Sequence, residues 1–586
     1  MSSLTSSLYT ALTGLQTNQS AMRVVSNNVT NANTPGYTRK IAELQSRVIA
    51  GTGAGVQLGS VDRYVDQALQ VQLRNTTSDY NSLDVRQQFF QRMQDMFGSP
   101  DSNSSLAAML SDYSTSVTAL TTNPESVSLR LDVVTNAQRA AQNLNDMSAS
   151  TQQLRQEADA QISASIDIVN GQLQTIDKLN EQIVAAKLRG IETGDLEDQR
   201  DLAVSKISEQ MDVSTYTRDN GEMVIFTKAG RTLLDGNPSL ISHTPAASLQ
   251  AAVTYPGGID GITVNGKDIT SEIGSGKIAA LVQLRDTTLP NMTAEINQLA
   301  TKLRDEVNKI HNQGTGLPAA KTLTSSRPQT GTAASLTGTV TVTLLNPDGT
   351  AAFSGAMPAP GTLDSAGFAA ALNTVLAGFG VGASATESGG AVTLNGGGYG
   401  IAITGGTVDP GGGQPTTNLS DYLHLNDFFV GTDPTGADLA AVIKVRDDIQ
   451  ADPSLMSRGA LQQDAALNWY VGAGDSSVVT ALAAKLTTGT TFAATGNLAA
   501  ATTSFSDYAN NILSQNASAA AQVDNDHSFT ESLKSEIESR FGSESGVNTD
   551  EELSNMIVLQ NAYAASGRIM TTVSQMFDVL LSLGQG

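Results

Sequence analysis

Apolar positions at the two ends of the chain step by three and four without a break. At the N-terminus the row is Met1, Leu4, Leu8, Ala11, Leu15, Asn18, Met22, Val25 and Val29. At the C-terminus it is Met556, Leu559, Tyr563, Ser566, Met570, Val573, Phe577 and Leu580. This spacing is a heptad seam and predicts two long helices. Ser2 or Ser3 caps the first, and Pro35-Gly36 stops it. Asn548 or Thr549 caps the last. Neither helix has an ordinary charged face. Arg23 is the only charged side chain before Arg39, and from Leu553 onward only Arg568 and Asp578 are charged. A helix in water needs a charged side, so each is expected to be covered on more than one face and to pair with the other. About seven sizeable apolar side chains cannot offset the entropy of ordering about thirty residues. The two ends are therefore expected to take shape only where several copies pack together. The positions expected to carry that assembly are Leu4, Leu8, Leu15, Met22 and Val25, against Leu559, Tyr563, Met570, Val573, Phe577 and Leu580.

Between the ends the period changes twice. Residues 27–39, NNVTNANTPGYTR, read as a helix end turning into an extended stretch, and Gly51, Gly53 and Gly55 as a bend in loop or strand. Helical spacing covers 61–97, where Leu83, Phe90 and Phe97 recur at sevens and Gly98-Ser99-Pro100 is the stop. It continues over 105–121 and over 125–187, with a break expected near 148–150. The acidic run GDLEDQRD, 194–201, sits at a helix start, where acids complement the helix dipole; it reads as a cap or a surface ion-pair cluster. A β hairpin is predicted at 213–217 and 223–228 around Asp219-Asn220-Gly221, with further strands through 268. Helix returns over 277–311, bent at Pro290. Residues 322–419 are rich in Gly, Thr and Ala. They predict a strand at 338–345 entering the turn Asn346-Pro347-Asp348-Gly349, a helix at 368–376, and a hairpin joining 392–394 to 401–404. Helical character is expected again after 437, with 443–452 as strand or loop, Trp469 as a core anchor, and a helix from about 499 to 533.

The fold class is thus α+β and multidomain: discontinuous N- and C-terminal helical coiled-coil and rod domains with inserted β-rich domains. The expected divisions are 1–35 with 547–586 as paired terminal helices; 36–211, 269–320 and 437–546 as a helical rod; 212–268 as a small β domain; and 321–436 as an inserted β-rich outer domain.

Composition excludes several chemistries. Net charge is −23 over 586 residues and no dense Lys/Arg cluster occurs, which argues against nucleic-acid binding. Cysteine is absent, so disulfides, thiolate metal sites and thiol catalysis are excluded. No run approaches the length and apolarity of a membrane span, and the N-terminus lacks the pattern of a cleaved secretory signal. His243, His311, His424 and His527 read as isolated, without a second ligand type at metal spacing. Asp524-Asn525-Asp526 opens like a calcium loop but has Phe529 where glycine is needed. No phosphate loop or nucleophile elbow is present. No catalytic, cofactor-binding or metal-binding residue is assigned.

NNVTNANTPGYTR resembles the N-terminal signature of the bacterial flagellar axial proteins of rod, hook and junction. YAASGRIMTTVSQMFDVLLSL, 563–583, resembles their C-terminal helix. GDLEDQRD and LRDTTLPNMTAEINQLATKL, 284–303, look like the hook-associated protein 1 branch of that family; 322–419 resembles nothing. The resemblance implies a structural subunit, not an enzyme. It would self-assemble into a junction ring, with hook protein below and a second hook-associated junction protein above. It also implies a flagellar export chaperone at the C-terminal helix, type III export without a cleaved signal, and an extracellular place on the flagellum. Alternatives are a hook or distal-rod subunit, or an exported surface adhesin.

Overall fold

The computed structural model describes residues 2–49, 51–98, 104–331, 333–357 and 361–583. Met1 of the seam and the Ser99-Pro100 stop lie outside them. Most of the chain is long helix, and among the described residues the strands are gathered into four stretches, 40–63, 213–268, 322–409 and 429–503.

The N-terminal helix, Ser2–Asn31, is followed by an antiparallel hairpin of Lys40–Ile49 and Thr52–Arg63. Of the three glycines, Gly51 sits at the turn of this hairpin, while Gly53 and Gly55 lie in its second strand. The next helix is therefore Gln67–Phe97 and not 61–97, because 61–63 are bound in the second strand. Asp66 starts it by accepting from the Ala68 and Leu69 amides. Ser105 and Ser126 cap the two helices that follow, Leu106–Thr122 and Val127–Leu188.

The last of these runs for 62 residues without the expected break, roughly 90 Å at 1.5 Å per residue. Ser148 would weaken it by bonding its own backbone. Instead its buried hydroxyl donates to the Asp438 carboxylate at 2.7–2.8 Å. Gly194–Gln210 then leads into the hairpin Val213–Thr217 and Met223–Thr227, as the sequence predicts, and into short strands through Asp268.

The bend near Pro290 is a single widened turn. Gly276–Gln283 is α-helical, Leu284–Thr288 is π-helical, and Leu289–His311 is α-helical again. Proline lacks an N–H and its ring crowds the carbonyl four residues back; the wide turn relieves both and aims Arg285 into the interior.

Two large apolar cores result. One joins Phe89, Phe90, Met93 and Phe97 to the long helix, to Leu289–His311 and to Phe505–Ser545. The other lies within 320–425, between the helix Ser365–Gly378 and two sheets. There the strand Ala334–Leu345 is central, with Ala351–Met357 and Gly361–Leu363 on one edge and Gly400–Asp409 on the other.

The predicted hairpin across Gly396–Gly398 does not form. Ala391–Asn395 pairs with Thr322–Thr324 and Ser384–Ser388, whereas Gly400–Asp409 joins the other sheet. Flexible glycines let the chain cross between sheets, and each strand takes a distant partner that local spacing cannot reveal. After 437 the chain is less helical than expected: short elements precede Ser477–Thr487, residues 501–503 are strand, and the long helix begins only at Phe505. Residues 443–452 hold the short strand Lys444–Val445 and the helix Asp447–Ala451. Trp469 is not a core anchor. It is half-buried on a two-residue strand, Trp469–Tyr470, at the rim of the outer sheet.

Candidate functional site

The N-terminal helix and the C-terminal helix, Thr549–Leu583, lie side by side within one chain. On the first, Leu4, Leu8, Leu15 and Met22 are half-buried and Val25 is buried. On the second, Leu559, Met570 and Phe577 are half-buried and Val573 is buried, while Tyr563 and Leu580 sit at the rim, 36% and 43% exposed. Ser566, the one small polar residue of its seam, faces Gly14: a Cβ built on Gly14 would lie 3.2 Å from the Ser566 Oγ. Small residues at that point let the helices approach closely.

The expectation that the ends take shape only among neighbours differs from what the single chain shows. Both are formed and packed on each other. The seam is not alone: two further contacts hold the pair. The Lys40–Arg63 hairpin covers the Thr face of the N-terminal helix. Thr17 Oγ1 donates to the Val56 carbonyl at 3.2 Å, and Gly55 comes so close to Thr13 that a Cβ would clash with its hydroxyl. The second contact is a polar anchor.

The anchor is built by the NNVTNANTPGYTR segment. Asn28 is fully buried. Its Nδ2 donates to the Lys40 carbonyl at 2.8 Å and to Glu552 Oε2 at 3.0 Å, and its Oδ1 accepts from the Tyr37 hydroxyl at 3.0 Å and the Lys40 amide at 3.1 Å. Arg39 Nε reaches Glu552 Oε1 at 2.8 Å, and its Nη2 reaches Glu551 at 2.7 Å. Thus a carboxylate only 2% exposed ties the last helix to the first loop.

GDLEDQRD completes the anchor from the other side. Thr38 gives its hydroxyl to Asp198 at 2.6 Å and its amide to the same carboxylate at 3.2 Å. Lys40 bridges Asp195 and Asp198, both at 2.9 Å. Arg63 contacts Glu197, Asp198 and Asp201, and Arg74 also holds Asp201, at 2.9 Å. Burial pushes the Asp201 carboxyl up, but the Arg74 and Arg63 guanidiniums override it and hold the group below the usual range. Likewise burial lowers Lys40, yet bonds to Asp195 and Asp198 leave its pKa raised. The ion-pair reading of these acids holds, but the surface placement holds only for part of the run. Asp195 stays exposed, whereas Asp198 is buried under the loop and hairpin, and Arg200 is buried against Asn180 of the long helix and the Gly221 carbonyl. Asn28, Tyr37, Thr38 and Glu552 were not singled out from sequence; a polar, uncharged loop gives no sign of which side chains turn inward.

The C-terminal helix is left largely apolar towards the outside: Leu553, Ile557, Val558, Ile569, Met576, Val579, Leu581 and Leu583 are all exposed, Leu583 to 77%. Exposed apolar side chains in this number mark an interaction surface.

The histidines need one correction. His424 does have ligand-type neighbours: Asp421, His424 and Asp427 recur at threes and bring ligand atoms within 4.8 Å of one another. The site fits a metal poorly. Arg327 Nη2 lies 3.0 Å from His424 Nδ1 and so already supplies a cation, and Asp427 accepts from Asn312 and Ser326. His311 is buried between the Asn426 carbonyl and the Ser457 amide, and burial drives its pKa down to about 4. His243 bonds Asp159 at 2.9 Å, which Arg285 also holds at 2.7 Å. His527 lies 3.9 Å from Asp84 and packs at a tilt against the Tyr80 ring. Among the described residues no helix is long and apolar enough to cross a membrane.

Comparison with known proteins bears on the anchor directly. A family model described as flagellar hook-associated protein FlgK helical domain matches residues 90–322. Flagella basal body rod protein matches 8–38, and flagellar basal body rod FlgEFG protein C-terminal matches 539–583. The three spans meet at the anchor: Asn28 and Thr38 come from the first, Asp198 and Asp201 from the second, Glu552 from the third. Flagellar hook-associated protein 1 of Escherichia coli (strain K12) is 27% identical over 323 residues, covering 53% of this chain and 58% of that protein. Its counterpart in Salmonella typhimurium is 27% identical over 316 residues, covering 52% and 56%. That of Bacillus subtilis (strain 168) is 25% identical over 354 residues, covering 54% and 68%. The chain therefore spans little more than half the length of the first two relatives. The solved flagellar hook junction protein FlgK from Burkholderia pseudomallei is 17% identical, with a TM-score of 0.47 over 80% of this chain and 99% of that one.

Proposed function

We propose, on the premise that the chain belongs to the flagellar hook-associated protein 1 family, that it is a structural subunit which polymerises at the hook–filament junction and joins the two. The observation that carries this reading is the uncharged apolar side of the paired end helices, which one chain cannot cover. In a ring of copies each pair presents this side to the next, and burying about 25 cal/mol per Å² of apolar area favours closure. The seam residues Leu4, Leu8, Leu15, Met22 and Val25, with Leu559, Tyr563, Met570, Val573, Phe577 and Leu580, form the core of that tube wall.

Residues 1–35 and 547–586 make the inner tube, 36–211, 269–320 and 437–546 the surrounding rod, and 212–268 and 321–436 the outward domains. Hook protein docks below and a second junction protein above. An export chaperone covers the C-terminal helix before assembly, since its apolar side needs shielding. The subunit leaves the cell by the flagellar type III route. The work is mechanical, and no reaction is assigned to it.

Removing the gene tests the reading. Cells are expected to keep hooks and lose filaments; normal filaments would overturn it. Phe577→Asp, expressed in the deleted strain, places a charge in the seam. It is expected to leave flagellin secreted but unassembled, scored by electron microscopy and by flagellin in the medium.

A further inference from the structure

The outer sheet ends in an edge that is open along part of its length. Ala351–Met357 pairs with Ala334–Leu345 on one side only. Among the described residues its remaining backbone groups have no hydrogen-bond partner. Gly361–Leu363 continues the same edge in the same register, with Met357 opposite Val340 and Gly361 opposite Leu336. Natural sheets blunt such edges with charge, proline or a cover. The sequence from 358 to 360 is Pro-Ala-Pro, but AAFSGAM, 351–357, has neither proline nor charge.

A ladder begins at this edge and is left unfinished. Thr350 is bridged antiparallel to Tyr470, and the Val471 amide donates to the Gly349 carbonyl at 2.9 Å. Beyond Thr350 the two segments part. A cleft of about 630 Å³ opens there, between 350–354 and the turn that carries Leu467, Trp469 and Tyr470. A second cleft of about 530 Å³ lies at the far end of the strand, lined by Gly355, Met357, Val375 and Phe379. Gly355 keeps it open: a Cβ there would come within 2.7 Å of Val375.

We propose that this edge is a docking site for an extended, apolar and non-acidic segment of another polypeptide. The segment adds as a strand to Ala351–Met357 and sets one apolar side chain in each cleft. A row of backbone N–H and C=O groups at strand spacing is matched by another backbone, which gives affinity, while the clefts give specificity. Neither cleft is lined by Lys or Arg, and Asp464 stands at the rim of the first, so an acidic segment is disfavoured. The half-buried Trp469 is the aromatic wall of that cleft.

The test uses the full chain and a phage-displayed library of random decapeptides. Enriched peptides are expected to alternate apolar residues and to lack proline. One synthetic peptide from the set should slow amide exchange within 351–357. Ala356→Lys and Ser354→Lys put a lysine at exposed positions of the edge; each is expected to weaken that peptide by about tenfold or more while melting like the parent. Should one fold poorly, the other decides. No enrichment, protection confined elsewhere, or unchanged affinity in a folded lysine variant overturns the proposal. Self-association of the parent that Ala356→Lys abolishes would put a second copy at the edge and overturn it as stated.

Discussion

At the scale of single residues, the anchor shows how a few polar side chains hold two distant segments together. Glu552 is paired by Arg39 and Asn28, and Glu552→Ala leaves buried donors unmet. Such a loss costs about 1–3 kcal/mol. It is expected in the local opening of the C-terminal helix, read by hydrogen exchange, with the rod unchanged. Glu295 is buried without a paired cation and accepts only the Asn497 amide among the described residues, at 2.7 Å. Burial pushes its pKa up to about 7. The folded state therefore binds more protons than the unfolded one, whose Glu titrates near about 4.3. Its contribution is complete below that value and is lost as the pH rises to about 7. Glu295→Gln is expected to remove this loss, seen as a flatter plot of melting temperature against pH between about 4 and 7.

At the scale of elements, the end helices depend on close approach. Gly14→Val places branched methyl groups against Ser566 and is expected to part the pair. Spin labels on the two helices should report a longer and broader distance, while the melting of the rod stays that of the parent. The long helix teaches a related point. Its seam was plain from Ile162, Ile166, Val169, Leu173, Ile176 and Ile183, all of which are buried. The expected break at Ser148 was wrong because a serine in a helix weakens it only when nothing else takes its hydroxyl, and Asp438, nearly three hundred residues away, does. The π turn before Pro290 was legible as a bend, but the wide turn and its inward Arg285 were not.

At the scale of the whole molecule, two apolar cores separate the rod from the outer sheets. Cores that share few residues unfold separately, so calorimetry of the free chain is expected to give two transitions. Deleting 322–419 should remove one and leave the other near its original temperature. The same division explains why the outer region was read least well. Its strands were found in part, but their pairing was not, since a strand's partner is chosen by the face it can bury and not by its neighbour in sequence.

Periodicity was enough to locate the end helices and the long helices between them, and with the Asp219-Asn220-Gly221 turn it located the hairpin at 213–227, because a helix or strand that buries one face must repeat its apolar residues at the period of that element. Charge poverty at both ends was enough to mark two helices that the single chain leaves partly uncovered. Which polar residues turn inward was decided only by tertiary structure: Asn28, Thr38, Asp198 and Glu552 meet across as many as 524 positions of chain, and a hydrogen bond depends on a distance and direction that no spacing along the sequence encodes.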